Sequence, residues 1–276
     1  RYNRFSKKKC RKTLVSFYQT HNLVSDLPNN ANFQDINLIN PWGIIVDNET
    51  LWVVDNATGR VTHYDQTGNA VSAPLLVPGP GGMGIGAPTD IIKNENSGFV
   101  VTNGPNSASA YLIVATEDGT INAYNSMVDP INFIEVIDNS GTGAVYKGIA
   151  QIGSFIYATD FYNRKIDAFD FNFNPILSFP FIDTGMIDPI PADFAPFGIT
   201  SINNKLYVTY AKQNPPSNED DLPGPGNGYV NVYTMNGLYI KRLASNGPLN
   251  SPWAVEKDTS GFGQFAHKIL VGNFGD

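Results

Sequence analysis

The sequence predicts an all-β protein, a β-propeller of four-stranded blades. A run of four short strands returns down the chain with a period of roughly fifty residues, the size of a propeller blade. The composition suits short strands joined by tight turns: 26 Gly, 19 Pro and 12% aromatic residues in 276, with asparagine common throughout. With 42% hydrophobic and only 16% charged residues there is apolar surface enough for one sizeable core. No apolar run approaches the ~20 residues of a membrane helix.

The first copy reads strand by strand as Pro41 to Val46, Leu51 to Val54, Arg60 to Tyr64 and Val71 to Val77, with Asp, Asn and Gly at the joints. A second copy starts at Pro88 and carries one strand too many, because Phe99 to Thr102 precedes the hairpin Tyr111 to Tyr124. It reads as one enlarged blade or two abbreviated ones. A third copy runs Lys147 to Ile149, Phe155 to Ala158, Lys165 to Phe169 and Ile176 to Phe181. A fourth runs Pro196 to Ile199, Leu206 to Thr209, Gly228 to Tyr233 and Leu238 to Leu243. The last begins at Pro252-Trp-Ala-Val255 and stops after Ile269 to Asp276, without outer strands. Ile44, Ile91, Ile149, Ile199 and Val255 are the equivalent aliphatic residues of the five starts. A propeller must hide the edges of its first and last blades. The strand-like segments Thr13 to Tyr18 and Asn22 to Leu27 are therefore expected to complete the final blade, or the chain continues past Asp276.

Charge divides the chain unevenly. Residues 1–12 hold seven of the eighteen Lys and Arg without an acid, leaving eleven against twenty-five Asp and Glu in the rest. The expected organisation is a basic arm over 1–12 and one propeller domain over 13–276. The arm is either a solvated terminus or a tether for an anionic partner, whereas the acidic body would repel a phosphate backbone. Cys10, the single cysteine, cannot form an internal disulfide. The sequons at Asn48 and Asn56 are candidate glycosylation sites in a secretory setting.

In a four-stranded blade the innermost strand starts, and the second strand ends, on the same face of the disc. Residues there ring one mouth of the central channel. Near the first strands these are Asn40, Asp90 and Lys147; after the second strands they are Asp55, Asn103, Asp118, Asp160 and Asn273. An oxygen-rich ring suits Ca²⁺ or Mg²⁺, so Asp55, Asp118, Asp160 and Asn273 are candidate metal ligands. Asn40, Asp90, Asn103 and Lys147 are candidate ligand-binding residues of the same mouth. Asp and Asn also serve strand-end turns through local side-chain-to-backbone bonds, and both readings stand. The insertion from Lys212 to Gly228, containing Asn218-Glu-Asp-Asp221, overhangs this mouth.

Other motifs point away from chemistry. His21, His63 and His267 lack metal-ligand spacing, and there is no Gly-x-Ser-x-Gly elbow. Gly79-Pro-Gly-Gly-Met-Gly84 matches a dinucleotide fingerprint only formally, since a strand start at Pro88 follows it instead of a helix.

Nine stretches in order carry a family resemblance: Asn22-Leu-Val-Ser-Asp26, Asn40-Pro-Trp-Gly43, Ala115-Thr-Glu-Asp-Gly-Thr120, Ala144-Val-Tyr-Lys-Gly148, Phe194-Ala-Pro-Phe197, Lys205-Leu-Tyr-Val-Thr-Tyr210, Gly224-Pro-Gly-Asn-Gly228, Lys241-Arg-Leu-Ala-Ser245 and Val271-Gly-Asn-Phe-Gly-Asp276. They resemble a family of bacterial propellers related to the gluconolactonase type, some with the exported PEP-CTERM sorting signal. The Asn-rich composition also resembles that of giant-virus proteins. The resemblance implies six blades, with five-bladed closure as the alternative, and a further blade beyond the final motif. It implies no activity. The expected function is a non-catalytic binding or assembly module for a protein or glycan, exported or particle-associated, alone or as a homo-oligomer. The rival is a divalent-metal-dependent lactonase-like hydrolase using the mouth carboxylates.

Overall fold

The computed structural model describes residues 19–183, 188–259, 261 and 263–276. The basic arm, Cys10 and the segment Thr13 to Tyr18 lie outside the described residues. The described chain is built of strands and turns. It begins with β1 (Val24–Ser25) and β2 (Phe33–Gln34), which pair in parallel. Asn22 to Leu27 therefore joins β2, not the final blade, which corrects the expected closure.

Blade I is a four-stranded meander of β3 (Pro41–Asp47), β4 (Thr50–Asp55), β5 (Arg60–Tyr64) and the short β6 (Leu75–Leu76). Blade II starts with β7 (Pro88–Lys93). A separate hairpin of β8 (Val100–Asn103) and β9 (Asn106–Ser109) follows, then β10 (Leu112–Thr116), β11 (Thr120–Tyr124) and β12 (Ile134–Asp138) complete the sheet. The surplus strand of the second copy is thus an inserted hairpin, and the copy is one enlarged blade. Blade III has three strands: β13 (Tyr146–Ile152), β14 (Phe155–Asp160) and β15 (Lys165–Asp170). Ile176 to Phe181 does not form the expected fourth strand. Pro175 and Pro180 cannot donate to a ladder, and only an isolated bridge, Phe169 to Pro175, remains. Blade IV has β16 (Phe194–Ile202), β17 (Lys205–Lys212), β18 (Gly228–Thr234) and β19 (Tyr239–Ser245). Blade V has β20 (Pro252–Lys257) and β21 (Ile269–Asn273).

Local chemistry sets the turns. Asp65 accepts the N–H groups of Thr67 and Asn69 at 2.9 and 3.0 Å, and Asp170 those of Asn172 and Asn174 at 2.8 and 2.9 Å. Each is an Asx turn that reverses the chain after the third strand of its blade. The inner strands carry a bulge near their starts, seen as register shifts at Pro41/Ile44, Tyr146/Ile149 and Pro196/Ile199. Here the Gly of Pro-Trp-Gly and its copies has a steric reason: a Cβ on Gly198 would lie 1.9 Å from the Trp253 carbonyl oxygen.

The blades stand side by side, β3 against β7, β7 against β13, β13 against β16 and β16 against β20. Apolar side chains alternate along each strand and fill the space between neighbouring sheets. Val54, Val61 and Val114 lie between blades I and II, Ile113, Ala158 and Ile149 between II and III, and Tyr157, Leu206 and Val208 between III and IV. Threonine hydroxyls add polar links: Thr89 donates to Tyr146 O at 2.8 Å and Thr159 to Phe197 O at 2.7 Å. No comparable backbone packing joins β20 to β3. Ile91, Ile149, Ile199 and Val255 accordingly retain 2–3% exposure, whereas Ile44, the same position in blade I, is 58% exposed.

Candidate functional site

The five inner strands bring Trp42, Thr89, Lys147, Phe197 and Trp253 to equivalent places at one mouth of the bore. Aromatic rings close this mouth. Trp42 meets Trp253 edge-on at 5.9 Å and Phe274 at 4.6 Å, Phe274 meets Phe197 at 5.6 Å, and Phe197 meets Phe161 at 5.1 Å. Such pairs contribute about 0.5–1.5 kcal/mol each beyond the area they bury.

Lys147 enters this cluster with 1% of its side chain exposed. Its Nζ lies 5.2 Å from the Trp42 ring centre and 6.0 Å from that of Phe161, an arrangement that favours a cation over the ring faces. Burial of the ammonium is balanced by ion pairs to Glu117 and, at 3.3 Å, to Asp220. Glu117 also accepts from Asn56 at 2.9 Å, and Asn56 from Asn40 at 3.1 Å, so Asn40 and Lys147 join one network. The Trp253 indole N–H donates to Lys147 O at 2.8 Å. The loop from Lys212 to Gly228 reaches the mouth through Asp220, as the placement of its blade requires.

The remaining candidate residues are engaged separately. Asp160 accepts Val145 N–H and Asn163 N–H, both at 3.2 Å, and the Asn163 amide at 2.8 Å. Burial raises its pKa against those bonds. Asp118 accepts Ala87 N–H at 2.6 Å. Asn273 accepts from Asn250 N–H at 3.0 Å and donates to Pro248 O at 2.9 Å. Asp90 stands where three other blades carry glycine, and its carboxylate accepts Ile91 N–H and Ile149 N–H at 2.9 Å, bridging two inner strands. Burial pushes its pKa up to about 7. Asn103 is placed on the peripheral hairpin, donating to Asp129 at 3.4 Å, because Thr116, not Asn103, ends the second strand of blade II.

Asp55 stands apart. It is fully buried, and neither carboxylate oxygen has a hydrogen-bond partner. Burial pushes its pKa up to about 7, partly offset by the nearby Thr62 hydroxyl and N–H, which do not reach hydrogen-bonding geometry. Among the described residues no three His, Cys, Asp or Glu side chains group as a metal site. The glycosylation candidates also differ: the Asn56 amide nitrogen is taken by Glu117, while Asn48 sits in the exposed β3–β4 turn. His63 stacks on Trp52 at 4.3 Å and bonds Ser72 at 2.9 Å, a packing role, and burial lowers its pKa.

The opposite end of the bore is open, a cavity of about 800 Å³. Lys93 and Tyr111 both bond Asp47 there at 2.5 Å and hold its carboxyl below the usual carboxylate range.

Charge reading alone misses Trp42, Phe161, Phe274 and Glu117. The repeated Pro-Trp at residues 41–42 and 252–253 is the signal that two indoles reach one mouth.

Relatives with the same blade pattern come from a giant virus. An uncharacterised protein of Acanthamoeba polyphaga mimivirus, L690, is 34% identical over 264 residues, which cover 95% of this chain and 70% of L690. The chain belongs to the L690 family. A second mimivirus member, R648, is 35% identical over 264 residues, and a third, R640, is 40% identical over 243. The chain spans 66% of R648 and 45% of R640. No protein-family model matches the L690-family chain. Its fold is shared with the solved structure of a streptogramin B lyase, at 12% identity and TM-score 0.50 over 79% of this chain and 58% of the lyase. It is also shared with a Bacteroides thetaiotaomicron protein of unknown function, at 13% identity and TM-score 0.52 over 82% and 52% of the two chains. At such identities the likeness concerns fold alone. No helix among the described residues is long and apolar enough to cross a membrane.

Proposed function

We propose that this chain is a non-catalytic propeller that binds or assembles with protein or glycan partners in an exported or particle-associated setting. Residues 13–276 form one domain of a ring with six positions, and the position between β21 and β3 is left for other polypeptide. The observation that carries this reading is Ile44, 58% exposed where its four equivalents are 2–3% exposed. An aliphatic stripe built for a neighbouring sheet, yet facing none among the described residues, is an interaction surface. Val46, at 69% exposure on the same strand, extends it.

The aromatic closure of the mouth supports the non-catalytic part, since Trp42 and Phe161 pack around Lys147 there and its ammonium is held by Glu117 and Asp220. The viral relatives, and the resemblance to a bacterial family some of whose members carry an export signal, support the setting. Light scattering of the purified protein, with pull-down and a glycan array, tests the reading: association or a retained partner, weakened by Ile44→Glu, is expected. A strictly monomeric protein that retains nothing overturns it. Deleting residues 1–12 separately tests whether the basic arm contacts an anionic surface.

One observation favours the rival: the two unpartnered oxygens of Asp55. Metal analysis of protein purified without chelator, beside Asp55→Ala, decides it. No divalent ion in either protein retires the metal reading.

A further inference from the structure

Blade III leaves a strand edge open that the corresponding blades cover. In blade I, β6 pairs with Arg60 and Val61 of β5, and Val71 N–H reaches His63 O at 2.9 Å. In blades II and IV, β12 and β19 run along β11 and β18. Beside β15, Ile176 N–H bonds Ala168 O at 2.8 Å and Asp170 N–H bonds Asn174 O at 2.9 Å, and the chain then leaves the edge. In an antiparallel strand every second residue turns its backbone groups to the same side. Outward bonds at Ala168 and Asp170 therefore place the N–H and C=O of Ile166 outward as well. No strand lies beside Ile166 on that side among the described residues.

A cleft of about 780 Å³ runs along this edge, walled by Ile137, Ile166, Phe179, Pro196 and Tyr210. Asp183 also lines it, as do Arg164, which donates to Ala192 O at 2.8 Å, and Lys165, which is paired with Asp167 at 2.8 Å. One of the Asp183 oxygens receives Arg242 Nη2 at 2.6 Å, while the other is buried without a donor. The cleft thus joins an unpaired backbone, an apolar wall and an acceptor lacking its donor.

We propose that the edge at Ile166 takes one further strand, an extended peptide of a partner protein that carries lysine or arginine beside an aliphatic residue. Its backbone pairs with Ile166, its aliphatic side chain packs on the apolar wall, and its cation meets the free oxygen of Asp183. This is strand addition, in which main-chain bonds supply affinity and alternate side chains supply specificity. The cationic class follows from Asp183 and from the acid excess outside the basic arm, eleven Lys and Arg against twenty-five Asp and Glu. This surface is separate from the open side of blade I and does not depend on it.

The test titrates a labelled hexapeptide of alternating lysine and valine against the full chain, followed by fluorescence anisotropy and amide hydrogen exchange. A peptide of alternating glutamate and valine is the control. The expected result is binding of the lysine peptide alone, slower exchange of the Ile166 amide, and a loss of about tenfold or more in affinity with Ile166→Pro, which removes the outward N–H. Asp183→Asn is expected to weaken binding and flatten its salt dependence. Equal binding of both peptides, no binding up to about 1 mM, or saturation without protection of Ile166 overturns the proposal. The exchange measurement on the unmodified chain decides the matter if Ile166→Pro does not fold.

Discussion

Asp55 and Asp160 end the second strands of blades I and III, opposite Pro41 and Tyr146. Asp160 accepts three hydrogen bonds, whereas Asp55 accepts none. The same contrast holds for Ile149 and Ile44, one sealed between sheets and the other exposed. The isoleucines differ because a sheet packs ahead of blade III and none among the described residues packs ahead of blade I. Burial in a propeller belongs to the pair of blades, not to either sheet.

Cutting into the sealed side gives the largest effect. Ile149→Ala is expected to cost about 2–5 kcal/mol, and Ile44→Ala within about 0.5 kcal/mol, in urea unfolding followed by circular dichroism. Equal losses would show that Ile44 is covered in solution. The two aspartates give the next contrast. Asp160→Ala leaves the Val145 and Asn163 N–H groups without an acceptor and is expected to cost about 1–3 kcal/mol. Asp55 behaves differently because its folded pKa, near 7, lies above the ordinary carboxylate value of about 3.9. Its contribution to stability is therefore full below about pH 4 and lost as pH rises through about 7, with a slope of at most about 1.4 kcal/mol per pH unit. Asp90 acts in the same direction. Asp55→Asn is expected to leave a shallower decline between pH 4 and 7, and an unchanged decline would show that Asp55 finds a partner in solution.

The smallest effect concerns the mouth. Asp220 is 73% exposed and stands 3.3 Å from Lys147, so Asp220→Asn is expected to cost about 0–1 kcal/mol in the same unfolding measurement. A larger loss would mean that the loop from Lys212 to Gly228 is part of the closure and not an overhang.

The repeat was legible because strand period, turn residues and the Pro-x-Gly bulge all leave marks in sequence. The five aliphatic positions from Ile44 to Val255 recur at the same place in each copy. Their unequal burial could not be read, since nothing near Ile44 records which sheet comes before it. The hairpin at Val100–Ser109 was misplaced for a related reason: its residues have strand character, and only three-dimensional pairing shows that Asn103 lies outside the ring. Charged residues draw attention to the mouth, yet what fills it is aromatic: Trp42, Phe197 and Trp253 share one repeat position, while Phe161 and Phe274 join them from outside it. Asp90 reads as a ligand candidate because it lies near the start of an inner strand, at the mouth. Its partner, the Ile149 N–H, belongs to the next blade and has no signature in the chain.

The indole bond from Trp253 to Lys147 O reaches from blade V to blade III, past blade IV. Local opening ordinarily begins where few apolar contacts hold a segment, and a two-stranded sheet such as blade V is the natural place to begin. The indole pins β20 to a strand two blades away, so its amides are expected to exchange with those of the interior, later than a two-stranded sheet at an open seam would on its own.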